Sequence, residues 1–255
     1  MNMLLILAFL FFMGSLIGWC IELIFRRFFS KANPERKWIN PGFCIGPWIP
    51  LYGCGLCILF VLAYGGAQYG LAATAAARLG LFAIMAIILT IIEYFAGLIG
   101  LKYMHMRLWD YRNEWGNIHG LVCPKFTAFW WALSAFYYFV VHNHVIDSLF
   151  WLANHLSFSF FIGMFWGVFV IDAAYSSGLA WKIRSFAKEN DVVVISEQLK
   201  ETIRRRQVEI GEKSHFVRHF KTAGGIVEHL RYEMYLYANR PEEEQHNINA
   251  IYKVK

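Results

Sequence analysis

Two glutamates stand inside otherwise apolar runs, Glu22 in "GWCIELIF" (Gly18–Phe25) and Glu93 in "LTIIEYFAGLIG" (Leu89–Gly100). A charged side chain at the centre of a bilayer costs about 2.5–3.5 kcal/mol on insertion scales, so such an acid is protonated, paired or functional. Glu22 has Arg26 four residues on, one helical turn away, and can form a structural ion pair. Glu93 has no basic residue at that spacing and reads as functional. Asp172, in "FVIDAAYSSG", is a third acid of this kind, nearer the inner end of its run. Gly14, Ser15 and Gly18 precede Glu22, and Thr90, Gly97 and Gly100 flank Glu93. Small faces let helices approach closely, which turns both carboxylates into a bundle rather than toward lipid.

The segments that follow the acids are dense in backbone-shaping and hydrogen-bonding residues. The first is "NPGFCIGPWIPLYG" (Asn40–Gly53), and the second joins "RLWDY" (Arg107–Tyr111) to "NIHGLVCPK" (Asn117–Lys125). Irregular backbone at membrane depth persists only where protein buries it or where it lines a cavity. The alternative is a pair of interfacial caps with aromatic anchors. Asn40 and Asn117 can satisfy freed backbone groups and contact a ligand. We expect Glu22, Glu93, Asn40, Asn117 and Asp110 to converge in the cytosolic half of the bundle, with Trp109 and Tyr111 at the rim. Two carboxylates in low dielectric would hold a proton or a cation between them.

Positioning these groups requires membrane helices. Of the 255 residues, 58% are hydrophobic and 16% are charged, against about 25% charged in soluble domains. Apolar runs near 3–25, 48–66, 79–101, 121–141 and 157–180 each approach the ~20 residues that cross a bilayer. The fold class expected is all-α: a polytopic bundle of about five transmembrane helices over residues 1–180, with a helical cytosolic tail over 181–255. The first run reads as a retained helix rather than a cleaved signal, because "MNM" supplies no basic region and Trp19 is too bulky for a cleavage site.

Arg26, Arg27, Lys31, Arg36 and Lys37 follow the first run, Lys102, Arg107, Arg112 and, at the base of the fourth, Lys125 follow the third, and Lys182, Arg184 and Lys188 follow the fifth. The alternate loops, 67–77 and 142–156, carry no Lys or Arg. This distribution predicts a cell-membrane protein with its N-terminus outside and its tail in the cytosol, with Arg78 the one dissenting charge. The two acid-led hairpins then share an orientation, as parallel internal repeats would. Spacing within them differs, 18 residues from Glu22 to Asn40 and 24 from Glu93 to Asn117.

In the tail, "SEQLKETIRRRQVEIGEK" and "GGIVEHLRYEMYLYANR" have helical periodicity. Its 14 basic residues barely exceed its 11 acidic ones, which suits anionic lipid or a partner helix and argues against nucleic acid. His215 and His219, four apart, fit a solvated helix face. Cys54 and Cys57 form a C-x-x-C within an apolar run without partner ligands, and packing thiols account for it. No metal-ligand set, cofactor motif or nucleophile-plus-base pair stands out.

"GWCIEL", "NPGFCIGPWIPLYG", "IEYFAG" and "RLWDYRNEWGNIHGLVC" resemble, in this order, the bacterial membrane proteins described as putative type IV ABC-transporter permeases, CmpB-like. The resemblance covers roughly residues 15–135. Its matching positions are Trp19, Glu22, Asn40, Gly42, Phe43, Gly46, Pro47, Tyr52, Gly53, Glu93, Trp109, Asp110, Tyr111, Asn117, Gly120 and Cys123, and it adds Trp19 and Tyr52 to the candidate site. It implies transport. No G-x-x-x-x-G-K-[ST] phosphate loop is present, so ATP hydrolysis would need a separate ATPase subunit; membrane lipid and a homo-oligomer are the other partners expected. The leading expectation is a permease-like component that binds a small or cationic solute or protons in an acid-bearing polar cavity. An intramembrane enzyme acting on a lipid or lipid-linked substrate, with Glu93 or Asp110 as general acid/base, is the alternative. A scaffold or regulatory subunit is the third.

Overall fold

A computed structural model describes residues 2–29, 33, 36, 38–189, 192–195 and 252–254. The described chain is helical: α1 (Met3–Phe28), α2 (Pro50–Gln68), α3 (Ala75–Leu98), α4 (Pro124–Phe136), α5 (His142–Asn154) and α6 (Ser159–Glu189). Among the described residues four segments are long and apolar enough to cross a membrane: Met3–Phe28, Pro50–Gln68, Ala75–Tyr103 and Leu156–Gly178. Local signals start them. The Asn2 side chain accepts from the Leu4 amide (3.1 Å) at the head of α1, and Pro50 and Pro124 occupy the first turns of α2 and α4, where a missing N–H costs nothing.

The span expected near 121–141 lies in a longer helical run. Helix α4 continues through a π turn, Tyr137–Val141, directly into α5. This run extends from Pro124 to Asn154, long enough to cross, but Lys125, Trp130, Trp131, Tyr137, Tyr138 and His142 dilute its aliphatic content. The expected loop at 142–156 is therefore largely helix. Val145, Leu149 and Leu152, spaced four and three apart, are buried in the core and give that segment a reason to stay helical despite its polar opening, "HNH".

Two compact units divide the chain, Met1–Ala96 with Asp110–Ala173, and Gly97–Trp109 with Ala174–Lys255. In the first unit Phe9 and Leu10 of α1, Leu59 and Phe60 of α2, Leu81, Phe82 and Met85 of α3, and Leu149 and Leu152 of α5 form one buried cluster. The tightest seam joins α1 to α2, where Gly14, Ser15 and Gly18 meet the start of α2. Helix α6 docks on α1 through rings: Phe11 stacks on Trp166 (4.7 Å between centroids) and Phe12 meets Phe165 (4.6 Å). Leu4, Phe160 and Ile171 point outward, more than two-thirds exposed, as lipid-facing side chains would.

The second unit carries a small sheet. Strand β1 (Met106–Arg107) pairs in parallel with β2 (Val192–Ile195), which pairs antiparallel with β3 (Tyr252–Val254). The β-branched run "VVVI" suits the pleat, and β2 and β3 lie within 181–255, where the sequence leads us to expect a helical tail. The helices expected near 196–213 and 224–240, and His215 and His219, lie outside the described residues.

Candidate functional site

Glu93, on α3, is buried, with 4% of its surface exposed. Tyr111 donates its hydroxyl to one carboxylate oxygen (3.0 Å) and Trp130 donates its indole N–H to the other (2.8 Å). Both donors are neutral, and among the described residues no Lys, Arg or His pairs with Glu93. Tyr111 lies in the loop before α4 and stacks on Phe126 of that helix, 4.2 Å between ring centroids and 15° apart. Burial first, then the Glu93 carboxylate, pushes the Tyr111 phenol above its ordinary range, so it remains a donor at any physiological pH. Glu22 and Tyr52 contribute in the same direction.

Glu22 is held differently. Arg26 donates to it at 3.0 Å, the expected ion pair one turn on, and Tyr52 donates its hydroxyl at 3.1 Å. Each acid thus receives a tyrosine phenol, but from different places. Tyr52 sits two residues past Pro50 on α2, and the residue two past Pro124 on α4 is Phe126, the ring on which Tyr111 stacks.

The motif segments are one another's partners. Trp19 donates its indole N–H to Asn40 (2.8 Å), whose amide N–H groups go to the Cys44 and Ile45 carbonyls. Tyr94, next to Glu93, is 3.0 Å from a ring nitrogen of His119. Asn117 donates to the Arg112 and Glu114 carbonyls and accepts from the Gly120 amide. His119 and Gly120 both have positive φ (54° and 67°), and Leu121 N–H closes the turn on the Ile118 carbonyl (2.9 Å), as in a type I′ turn. Both asparagines are loop staples. Asp110 is exposed and forms a two-point ion pair with Arg112. Trp109 belongs to the second unit.

Asp172 of α6 accepts the backbone N–H groups of Ile45 (3.1 Å) and Gly46 (2.9 Å). It fastens the loop of the first motif to the bundle. Hydrogen bonds to charged groups contribute about 1.5–3 kcal/mol each. Asp172→Asn removes the charge and leaves one amide without a carboxylate oxygen. We expect the loop to open and Cys44, 2% exposed in the native protein, to react with a thiol reagent several-fold faster. An unchanged rate in a variant whose other cysteines are replaced would show that Asp172 does not hold the loop.

Glu93 and Tyr52 also line a cavity of about 350 Å³ within the first unit. Its other walls come from α1, α2, α3, α4, the π turn and α5, and they are hydrocarbon for most of their length. Where the sequence predicts a polar cavity, the structure has a mostly apolar one, whose few polar-bearing lining residues are Tyr52, Glu93, Trp130, Tyr137, His144 and Ser148. Its wall on α1 runs from Phe9 to Ile21, about 18 Å of helix. Among the described residues no group of three or more His, Cys, Asp or Glu is gathered closely enough to hold a metal ion.

Sequence reasoning missed Trp130, Tyr94 and His119. A buried indole N–H needs an acceptor, so Trp130 on an apolar helix was a usable signal without an address. A profile of the family described as "Putative ABC-transporter type IV" matches residues 9–177, which contain every residue of this site. No curated protein and no solved structure matches the chain.

Proposed function

The chain belongs to the family described as "Putative ABC-transporter type IV", and from that premise we propose that it is the membrane-embedded, solute-binding component of a transporter driven by a separate ATPase subunit. The observation that carries the proposal is Glu93: a buried carboxylate at the wall of a 350 Å³ cavity, held by two neutral donors. A buried charge without a basic partner is costly, and a cationic group entering the cavity offsets that cost. The volume lies at the lower end of the roughly 300–1,000 Å³ typical of small-molecule sites. Glu22, already paired to Arg26, orients Tyr52 at the cavity wall.

In this reading the N-terminus lies outside, and the loop 104–123 faces the cytosol, where the ATPase is. Trp115, 85% exposed, marks that loop, and Ala73 marks the loop between α2 and α3. A cysteine replacing Trp115 should react with a membrane-impermeant maleimide only after the cells are opened, and one replacing Ala73 in intact cells. Labelling of the Trp115 position from outside would overturn the orientation.

The function itself is tested by ATP-dependent uptake of organic cations into membrane vesicles, with and without the chain. Uptake that requires the chain supports transport. Equal uptake of every cation in both preparations would remove the proposal's basis.

A further inference from the structure

The lining of the cavity follows α1 from Phe9 to Ile21, a shaft-like run of mostly apolar side chains with Glu93 among them. About 18 Å of helix separates Phe9 from Ile21, comparable with the depth of one leaflet, half of the ~30 Å hydrocarbon core. Along that shaft Leu56, Leu59, Leu89 and Leu133 offer no hydrogen bond. A sugar or amino acid filling it would leave its polar groups unpaired, which is costly. Glu93 brings a carboxylate to this lining, which Tyr52 and Trp130 share, Trp130 donating its indole N–H to Glu93 itself (2.8 Å). The Trp130 N–H and the Tyr52 hydroxyl are committed to Glu93 and Glu22, so their π-systems are what these two side chains have left to offer a ligand. A carboxylate with aromatic faces suits an ammonium group and repels a phosphate.

We infer that the site binds a cationic amphiphile, with its ammonium head at Glu93, Tyr52 and Trp130 and a single hydrocarbon chain in the shaft. This rests on the solute-binding role proposed above and names its substrate class. The chain gains little hydrophobic energy in passing from lipid to the shaft, since both are apolar. It concentrates the ligand in the bilayer, and the head group supplies the selectivity.

The test uses the whole protein in phosphatidylcholine nanodiscs, with radiolabelled dodecylamine as probe and empty discs as background. Dodecanol, which keeps the chain without the charge, and propylamine, which keeps the charge without the chain, are the competitors. We expect saturable dodecylamine binding near one per chain, with each competitor weaker by about tenfold or more, about 1.4 kcal/mol. Glu93→Gln should weaken the binding about tenfold or more. So should Gly55→Leu, which fills the shaft from a position where an added Cβ meets only Leu89, at an ordinary 3.5 Å. Both variants are compared with wild type by elution profile and thermal stability, and each tests the site independently of the other.

Propylamine competing as well as dodecylamine, with Gly55→Leu binding unimpaired, would overturn the amphiphile and leave a small-cation transporter standing. Dodecanol competing equally would reduce the shaft to an ordinary lipid groove. Loss of neither probe in Glu93→Gln would overturn both this inference and the role of Glu93 in binding solute.

Discussion

Gly18→Ala will destabilise the protein by about 1–3 kcal/mol, the usual cost of one extra methyl in a packed interface. A Cβ at position 18 would stand 2.3 Å from both Cβ and Cγ of Tyr52. Those atoms lie next to the backbone of α2, so no rotamer change clears them, and the two helices must part. Gly53 faces the same seam from α2, where an added Cβ would lie 2.3 Å from the Ser15 hydroxyl and 2.7 Å from the Phe11 carbonyl. Separation also draws the Tyr52 hydroxyl from Glu22, now 3.1 Å away, and disturbs the wall of the shaft. Thermal inactivation in detergent should therefore shift down by several degrees. The second-site change Tyr52→Gly removes both obstructing atoms, Cβ and Cγ. The double variant should accordingly be less damaged than the two single effects summed, the non-additivity expected of residues in contact. Strict additivity would show that the glycine is not there to seat Tyr52.

How much of this was legible in the sequence depends on the range of each interaction. The Glu22–Arg26 pair follows from helical spacing alone. The small faces at Gly14, Ser15 and Gly18 announce a close approach, and periodicity with hydropathy suffices for a membrane bundle. What lies across the approach is not written in any one segment. Trp130 could have been exposed, as Phe129 beside it is, because helical period fixes a face but not the helix opposite. Asp172 reads as an intramembrane acid, yet its partners are backbone amides more than a hundred residues away, and backbone amides leave no sequence signature. Asn40 and Asn117 were readable as loop residues but not as staples, since the carbonyls they bind belong to turns whose shape depends on His119 and Gly120 at positive φ. The polar start of α5 concealed a helix whose apolar stripe, Val145, Leu149 and Leu152, shows once the core is known. The strands at Met106–Arg107 and Val192–Ile195 pair over a long sequence separation, and a two-residue strand has no period to detect.

The largest effect is expected at Glu93 itself. Glutamine is nearly isosteric with glutamate. It keeps one oxygen to accept from Tyr111 or Trp130 but turns an NH₂ toward the other donor, and it carries no charge for a cation to meet. Glu93→Ala removes the acceptors as well, leaving the Trp130 indole N–H and the Tyr111 hydroxyl without their partner at a cost of about 1–3 kcal/mol per buried group. The two substitutions therefore separate folding from binding, because the glutamine variant should retain the fold while losing the solute. The central measurement is ATP-dependent uptake of a cationic solute by vesicles carrying wild type or Glu93→Gln at equal protein levels. The account predicts that the glutamine variant loses about tenfold or more of the uptake, about 1.4 kcal/mol or more of binding, with thermal stability close to wild type. Uptake by Glu93→Gln equal to wild type would contradict it, and would make the buried carboxylate a structural acceptor for Tyr111 and Trp130.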